Sequence, residues 1–403
     1  MASHRPRSVQ RLDGDMATRR RSARAVHNDE VIRRCVCKVV SQVGIDNSTM
    51  VLVAQSGKLT TGALYGRFES IDDVILDAWQ AGAGESLFTR VNDLLETMNP
   101  KVRSGNADYS LSPQTALAFQ TLIASRRNTT LAEGIESDLA IWGEKWGLTS
   151  HADSTTRMRS AVALSLVFGR LMTSFSTFDD AQWSAMAAVF ASALNSATSG
   201  PRHYPDSGAS VIADGGDGLS NDLINATMEV VSRSGVEAST VSRIARRSHV
   251  TTGAIYSRYD SKSDLIVDAI EILVATAART SSQLVIEGAN TNAMSTSVAR
   301  MFHAALSPER SRWNAFRLET YLAGHWDPAI KRCLRRIRAT SEQRYAALLQ
   351  PTGWFTDDHI LQISLAGQAI PLGMSVLDIF STGHRDIDYL DVSKRLMLLV
   401  GAS

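Results

Sequence analysis

The chain has 403 residues, of which 44% are apolar and only 9 are prolines, and its 42 Lys or Arg are nearly balanced by 41 Asp or Glu. That length exceeds one ordinary core, and apolar positions recurring at helical spacing predict an all-α protein of more than one domain. No apolar run reaches the ~18 residues that a bilayer span needs, and the N-terminal arginines lack a following apolar stretch, so a cytosolic protein without a signal peptide or membrane contact is expected.

Charge is uneven along the chain. Ten Lys or Arg fall between Met1 and Lys38, against Asp13, Asp15, Asp29 and Glu30. Residues 1–26 read as a basic arm, either a solvated disordered tail or a segment that tracks DNA phosphates. The cysteines Cys35, Cys37 and Cys333 form neither a disulfide framework nor a zinc spacing, and read as small core or boundary residues. No metal or other cofactor is expected.

Residues 27–80 form the first of two related modules. Shifted by 191 positions, Val39–Ala78 aligns without a gap on Val230–Ala269, with 18 of 40 positions identical. Such self-similarity marks an internal duplication. Residues 81–194 follow as a helical region, with amphipathic stretches at Thr115–Ile123 and Ala161–Phe175. Residues 195–218 contain Ser199-Gly200-Pro201 and Asp214-Gly215-Gly216-Asp217-Gly218, a composition that reads as a linker.

The second module, 219–271, is the clearer copy. Leu223, Ala226, Thr227, Val230 and Val231 make one helical stripe, with Ser220 or Asn221 as cap and Gly235 as its left-handed stop. Thr240 caps a short helix Val241–Arg247 that buries Val241, Ile244 and Ala245. After a turn at Ser248-His249, Thr251 caps a third helix running to about Tyr259. Ser261 or Ser263 then starts a longer one. Two short helices joined by a tight turn and packed on a preceding helix make a helix-turn-helix layout. Its second helix must be narrow and free of bulky apolar groups outside if it is to enter a major groove. Thr252, Gly253, Tyr256, Ser257 and Arg258 lie on that face, although Gly253 is equally compatible with close helix packing. Residues 272–403 form the second helical region, with an amphipathic stretch at Ile330–Leu349.

These residues resemble the DNA-binding signature of TetR-family regulators. The resemblance is carried by Thr240-Val241, Ile244-Ala245, Val250-Thr251-Thr252-Gly253-Ala254-Ile255-Tyr256, and Tyr259 with Ser261-Lys262 and Leu265. It implies that Thr240 and Ser242 touch phosphates and that Thr251 caps the recognition helix. Thr252, Gly253, Ala254, Tyr256, Ser257 and Arg258 would face the operator, and Lys262 would hold a phosphate. His249 stands where the family usually has glycine, which implies a slightly remodelled turn. The first copy keeps Thr49, Thr60, Thr61, Gly62, Ala63, Tyr65 and Arg67, with Gly66 in place of Ser257. It has Ile71 where a phosphate-binding Lys is expected, and the apolar pair Val51-Leu52 on a normally polar face, free to meet the other half or the arm. Two further segments, Ala124–Asn128 and Ala323–Pro328, echo a family helix end.

The resemblance implies a duplex DNA operator, repression as the default, and an unidentified small-molecule effector in the C-terminal bundles. His303, Arg317, His325 and Gln368 are the polar candidates there. One chain carrying both modules would act as an intramolecular pseudo-dimer on an imperfect palindrome, with further pairing of whole chains left open. In the rival reading only the second module binds DNA, and the first serves pairing or protein interaction. An enzyme is not expected, because phosphate-cradling, zinc-protease and nucleophile-elbow motifs are missing from the sequence.

Overall fold

The computed structural model describes residues 23–98, 109–176, 180–202 and 210–401. Residues 1–22 of the expected arm lie outside the described residues. The last four, 23–26, already belong to α1 (Ala23–Val43). The first half continues with α2 (Met50–Ser56), α3 (Thr61–Tyr65), α4 (Ile71–Ala78), a π-helical turn at Trp79–Ala83, α5 (Gly84–Thr97), α6 (Pro113–Ala124), α7 (Thr129–Lys145), α8 (Ser154–Met172) and α9 (Asp180–Ser196). The second half runs α10 (Gly218–Ala238), α11 (Val241–Arg247), α12 (Thr252–Tyr256), α13 (Lys262–Asn290), α14 (Met294–Leu306), α15 (Ser311–Ala323), α16 (Pro328–Leu349), α17 (Asp357–Leu377) and α18 (Leu390–Leu399). The fold is all-α, and the described residues contain no strand beyond an isolated bridge between Pro201 and Ile387.

Local chemistry explains where these helices start. Thr49, Thr60, Thr240 and Thr251 each accept a backbone N–H of the helix they precede, satisfying a donor that has no partner inside the helix. Ser70 and Asp73 form a reciprocal capping box on α4, and Ser261 caps α13. Asp217 caps α10 in place of the expected Ser220 or Asn221, because the helix begins earlier than its apolar stripe. The two echo segments behave alike: Asn128 caps α7 and Asp327 caps α16. One break separates the copies. Gly82, at φ 126°, kinks the chain between α4 and α5, whereas α13 runs unbroken for 29 residues.

The centre of the molecule is the crossing of α8 from the first half with α17 from the second. Both are buried nearly all round over their C-terminal portions, the pattern expected of a helix inside a core. Although α17 is long and apolar enough to cross a membrane, 67% of its apolar window is buried inside the protein. The crossing is glycine-mediated on both sides. A Cβ on Gly169 would lie 2.6 Å from the carbonyl carbon of Ala369, and one on Gly373 would lie 2.5 Å from Cα of Ser165. Gly169 follows Ser165 by one turn just as Gly373 follows Ala369, so the contact is reciprocal, as in a two-fold interface.

The segment expected as a free linker is tied down in its described parts. Ala197 is buried, and its carbonyl accepts Arg159. Thr198 bonds Asp391, and Ser199 donates to the Asp388 carbonyl. On the far side Val211 and Ala213 join the core beneath α10, where Asn225 bonds both backbone groups of Ala213. A stretch too polar to build a core still donates single apolar side chains to cores built by others.

Candidate DNA-binding surface

The second module holds α12 outward on a rigid base. Ile255 is its one fully buried residue, while Thr251, Thr252, Gly253, Tyr256, Ser257 and Arg258 are exposed and Ala254 is half-buried. Tyr256 leaves 56% of its surface to solvent. Beneath it, α11 buries Val241, Ile244 and Ala245 and exposes Ser242 beside the capping Thr240. Glu229 of α10 is buried and bonds Arg247 of α11, with Arg233 also in contact, which pins the two helices together. Those cations, Arg247 first, hold the Glu229 carboxyl below the usual range. A Cβ on Gly253 would meet nothing closer than the Thr251 hydroxyl at 3.8 Å. Internal packing therefore does not require glycine there.

The first module repeats this geometry. Leu64 alone is buried in α3, while Thr60, Thr61, Gly62, Ala63, Tyr65, Gly66 and Arg67 are exposed, as is Thr49. Tyr65 leaves 59% of its surface free, and a Cβ on Gly62 would meet nothing within 4 Å. The turn is also conserved in shape: Lys58 at φ 53° and His249 at φ 58° occupy the same left-handed position. A non-glycine residue carries that left-handed φ in both copies.

The copies differ in chemistry. Val51 and Leu52 remain solvent-exposed and meet neither the second half nor any other described segment closely enough to be covered. On α11 the matching face is basic. Arg243 and Arg246 are exposed, and Arg246 has no carboxylate partner among the described residues. Sequence reasoning passed over both, although the run Arg243-Ile244-Ala245-Arg246-Arg247 carried the signal; the first copy has Leu52, Gln55 and Ser56 at those positions. The arginine that follows each of these short helices rests against an acid. Arg258 pairs with Asp217 at 3.1 Å, and Arg67 pairs with Asp29. Backbone and Arg258 contacts lower the Asp217 pKa. Lys262 is half-buried, donating to the carbonyls of Val236 and Glu237 at 3.0 and 3.2 Å. Ile71 opens α4 at the equivalent place.

Two turns connect the modules to the helical body, and they cross between halves. Arg127, between α6 and α7, donates to Asp46 of the first module at 2.9 and 2.8 Å and to Glu319 of α15 at 2.9 Å. Its guanidinium also abuts Gly235, at the end of α10's regular turns, where a Cβ would lie 2.7 Å from Nη2. Trp326, between α15 and α16, donates its indole N–H to Glu237 of the second module at 3.2 Å. A Cβ on Gly44 of the first module would collide with that indole, 2.6 Å from its Cζ2. Each turn thus binds the acid of its own module and packs on the left-handed glycine of the other. Burial opposes the Arg127 charge, yet Glu319 and Asp46 outweigh it and hold its pKa above the ordinary value. Burial also raises the Glu319 pKa despite its partner.

The second half encloses a cavity of about 220 Å³ between α13, α14, α15, α16, α17 and α18, closed on one side by Met186, Val189 and Phe190 of α9. Of the four polar candidates, Arg317 and Gln368 line it. His303 does not; it is buried edge-on against Tyr389. His325 lies in the α15–α16 turn and bonds the Met172 carbonyl at 3.2 Å. The three thiols are buried and free.

A capped, solvent-facing helix-turn-helix on a helical body is the layout of DNA-binding regulators. Residues 223–269 match the TetR_N family model, described as "Bacterial regulatory proteins, tetR family". The match falls on the second module and supports a DNA-binding transcriptional regulator of that kind. No curated protein matches the chain.

Proposed function

We propose that the chain is a single-chain regulator whose two modules bind one imperfectly palindromic operator, as the two subunits of a dimer would. The reciprocal crossing at Gly169 and Gly373 carries this reading. It supplies within one chain the isologous contact that a two-fold dimer makes between chains. Two recognition helices in successive major grooves require half-sites about one helical turn, roughly 34–36 Å, apart. Thr49, Thr60, Thr240, Ser242 and Lys262 would contact phosphates. Thr61, Gly62, Ala63, Tyr65, Gly66 and Arg67 would face one half-site, and Thr252, Gly253, Ala254, Tyr256, Ser257 and Arg258 the other. A phosphate would take Arg258 from Asp217 and Arg67 from Asp29. Lys262 would reach DNA only by giving up its carbonyl partners. Ligand in the second-half cavity would act through α17, which lines the cavity on one face and crosses α8 on another. Such control requires that ligand bind the two states of the body with different affinity.

A second reading has a specific observation in its favour. The first module presents Val51 and Leu52 where the second presents Ser242 and Arg243, so the first would serve protein contact alone. Operator selection followed by Arg67→Ala and Arg258→Ala in separate proteins decides between them. The two-module reading expects each substitution to weaken a different half-site. An Arg67→Ala protein with unchanged affinity and footprint supports the second reading.

A further inference from the structure

We propose that the second-half cavity binds an amphipathic organic anion, an apolar body bearing one carboxylate or comparable acidic head, with Arg317 as the counter-charge. The proposal rests on the reading of the protein as an effector-controlled regulator and specifies the effector's chemistry.

The cavity wall is apolar over most of its extent, from Val274, Leu284, Phe302, Ile363 and Ile370 among others, yet three arginines reach it: Arg310, Arg317 and Arg344. No Asp or Glu lines it among the described residues. Arg317 is enclosed by protein but keeps accessible surface, which opens on the cavity. Its hydrogen bonds all run through Nη2, to the Pro371 carbonyl, Ser375 Oγ and Asn314 Oδ1, each a neutral acceptor. Its Nε is buried without any acceptor. Burial pushes the Arg317 pKa down to about 10, and nearby Arg310 pushes the same way. A desolvated cation with unused donors and no acid is costly unless a bound anion completes it.

The first half shows that the site is particular to the second. The caps Asn128 and Asp327 align α6 and α7 on α15 and α16, which places Ala118 opposite Arg317, Trp142 opposite Ser341 and Trp146 opposite Tyr345. Trp142 stacks on Trp79 at 5.5 Å and meets Phe88 at 5.4 Å, filling that part of the first body with aromatic rings. In the second half a serine replaces the indole and leaves space, and an arginine replaces the alanine and leaves charge. The volume exceeds the ~150 Å³ that seats one benzene ring, which suits a short acyl chain or a ring with an acidic arm.

Calorimetric titration of the full chain with octanoate, 1-octanol and octylamine tests the assignment; each probe has about ten non-hydrogen atoms, suited to a cavity of this scale. Octanoate is expected to bind at least about tenfold tighter than octanol, with octylamine weakest, since a charge-assisted pair favours the anion alone. Arg317→Met should bring octanoate to the octanol level while leaving the melting temperature unchanged or higher, because it removes an unpaired buried charge. Ser341→Trp, copying the first half, should abolish binding of octanoate and octanol alike. Equal affinity for acid and alcohol, an undiminished preference in Arg317→Met, or no binding by any probe would each overturn the proposal. Operator binding by the ligand-free protein is measured in parallel. Its failure would remove the regulator reading while leaving the calorimetry intact.

Discussion

Replacing Gly373 by alanine tests the crossing that joins the two halves. The new Cβ would strike the carbonyl oxygen of Ser165 and sit 2.5 Å from its Cα, where ordinary contact needs 3.4 Å or more, so the helices must part by at least about 0.9 Å at that point. Both surfaces are backbone, and no side chain can swing aside. Overpacking of this kind costs roughly 1–3 kcal/mol, and a backbone-on-backbone clash belongs at the upper end, about 3 kcal/mol. For a protein of this size that corresponds to a fall in melting temperature of roughly 3–4 °C. Gly169→Ala should behave alike, since its Cβ would lie 2.7 Å from Cα of Ala369. Because the two sites share one contact, the double variant should lose less than the sum of the singles. Differential scanning calorimetry of the four proteins reads all three quantities. A Gly373→Ala protein melting within about 1 °C of the parent, or strictly additive losses, would refute the close crossing.

Arg127→Met leaves Glu319 buried without its cation and should cost about 3–5 kcal/mol in urea unfolding; a loss under about 1 kcal/mol would mean that the Arg127–Glu319 pair at 2.9 Å is not held in solution. His325 gives a pH signature. Burial pushes its pKa down to about 4 from an ordinary 6.5, so the unfolded chain takes up this proton first as pH falls. Stability from this group is complete above about pH 6.5 and declines toward pH 4, by at most ~3 kcal/mol. Subtracting the profile of His325→Asn from that of the parent should isolate this slope between those values, and superimposable profiles would contradict the assignment.

Short-range chemistry was readable in the sequence. The limits of α11 and the threonine caps of α11 and α12 follow from apolar spacing and hydroxyl placement within a few residues, and the structure reproduces them. Starts set by residues outside the apolar stripe, such as Asp217, were less legible. The long-range features were not legible at all. Gly169 and Gly373 stand 204 positions apart, and nothing local marks either as half of a crossing. Arg317 was a candidate on residue type alone, but that it faces a cavity while His303 does not depends on how helices distant in sequence pack around each. The basic face of α11 was visible as a run of arginines, and its meaning emerged only when Arg246 proved to be exposed.

The most direct test is the salt dependence and footprint of one purified chain on its selected operator, with Arg67→Ala and Arg258→Ala measured beside it. A single chain should protect two half-sites about one helical turn apart, and each substitution should lower the salt slope by about one while eroding only its own half-site. Protection of one half-site alone, indifference to either arginine, or failure to hold any duplex at low salt would contradict the account.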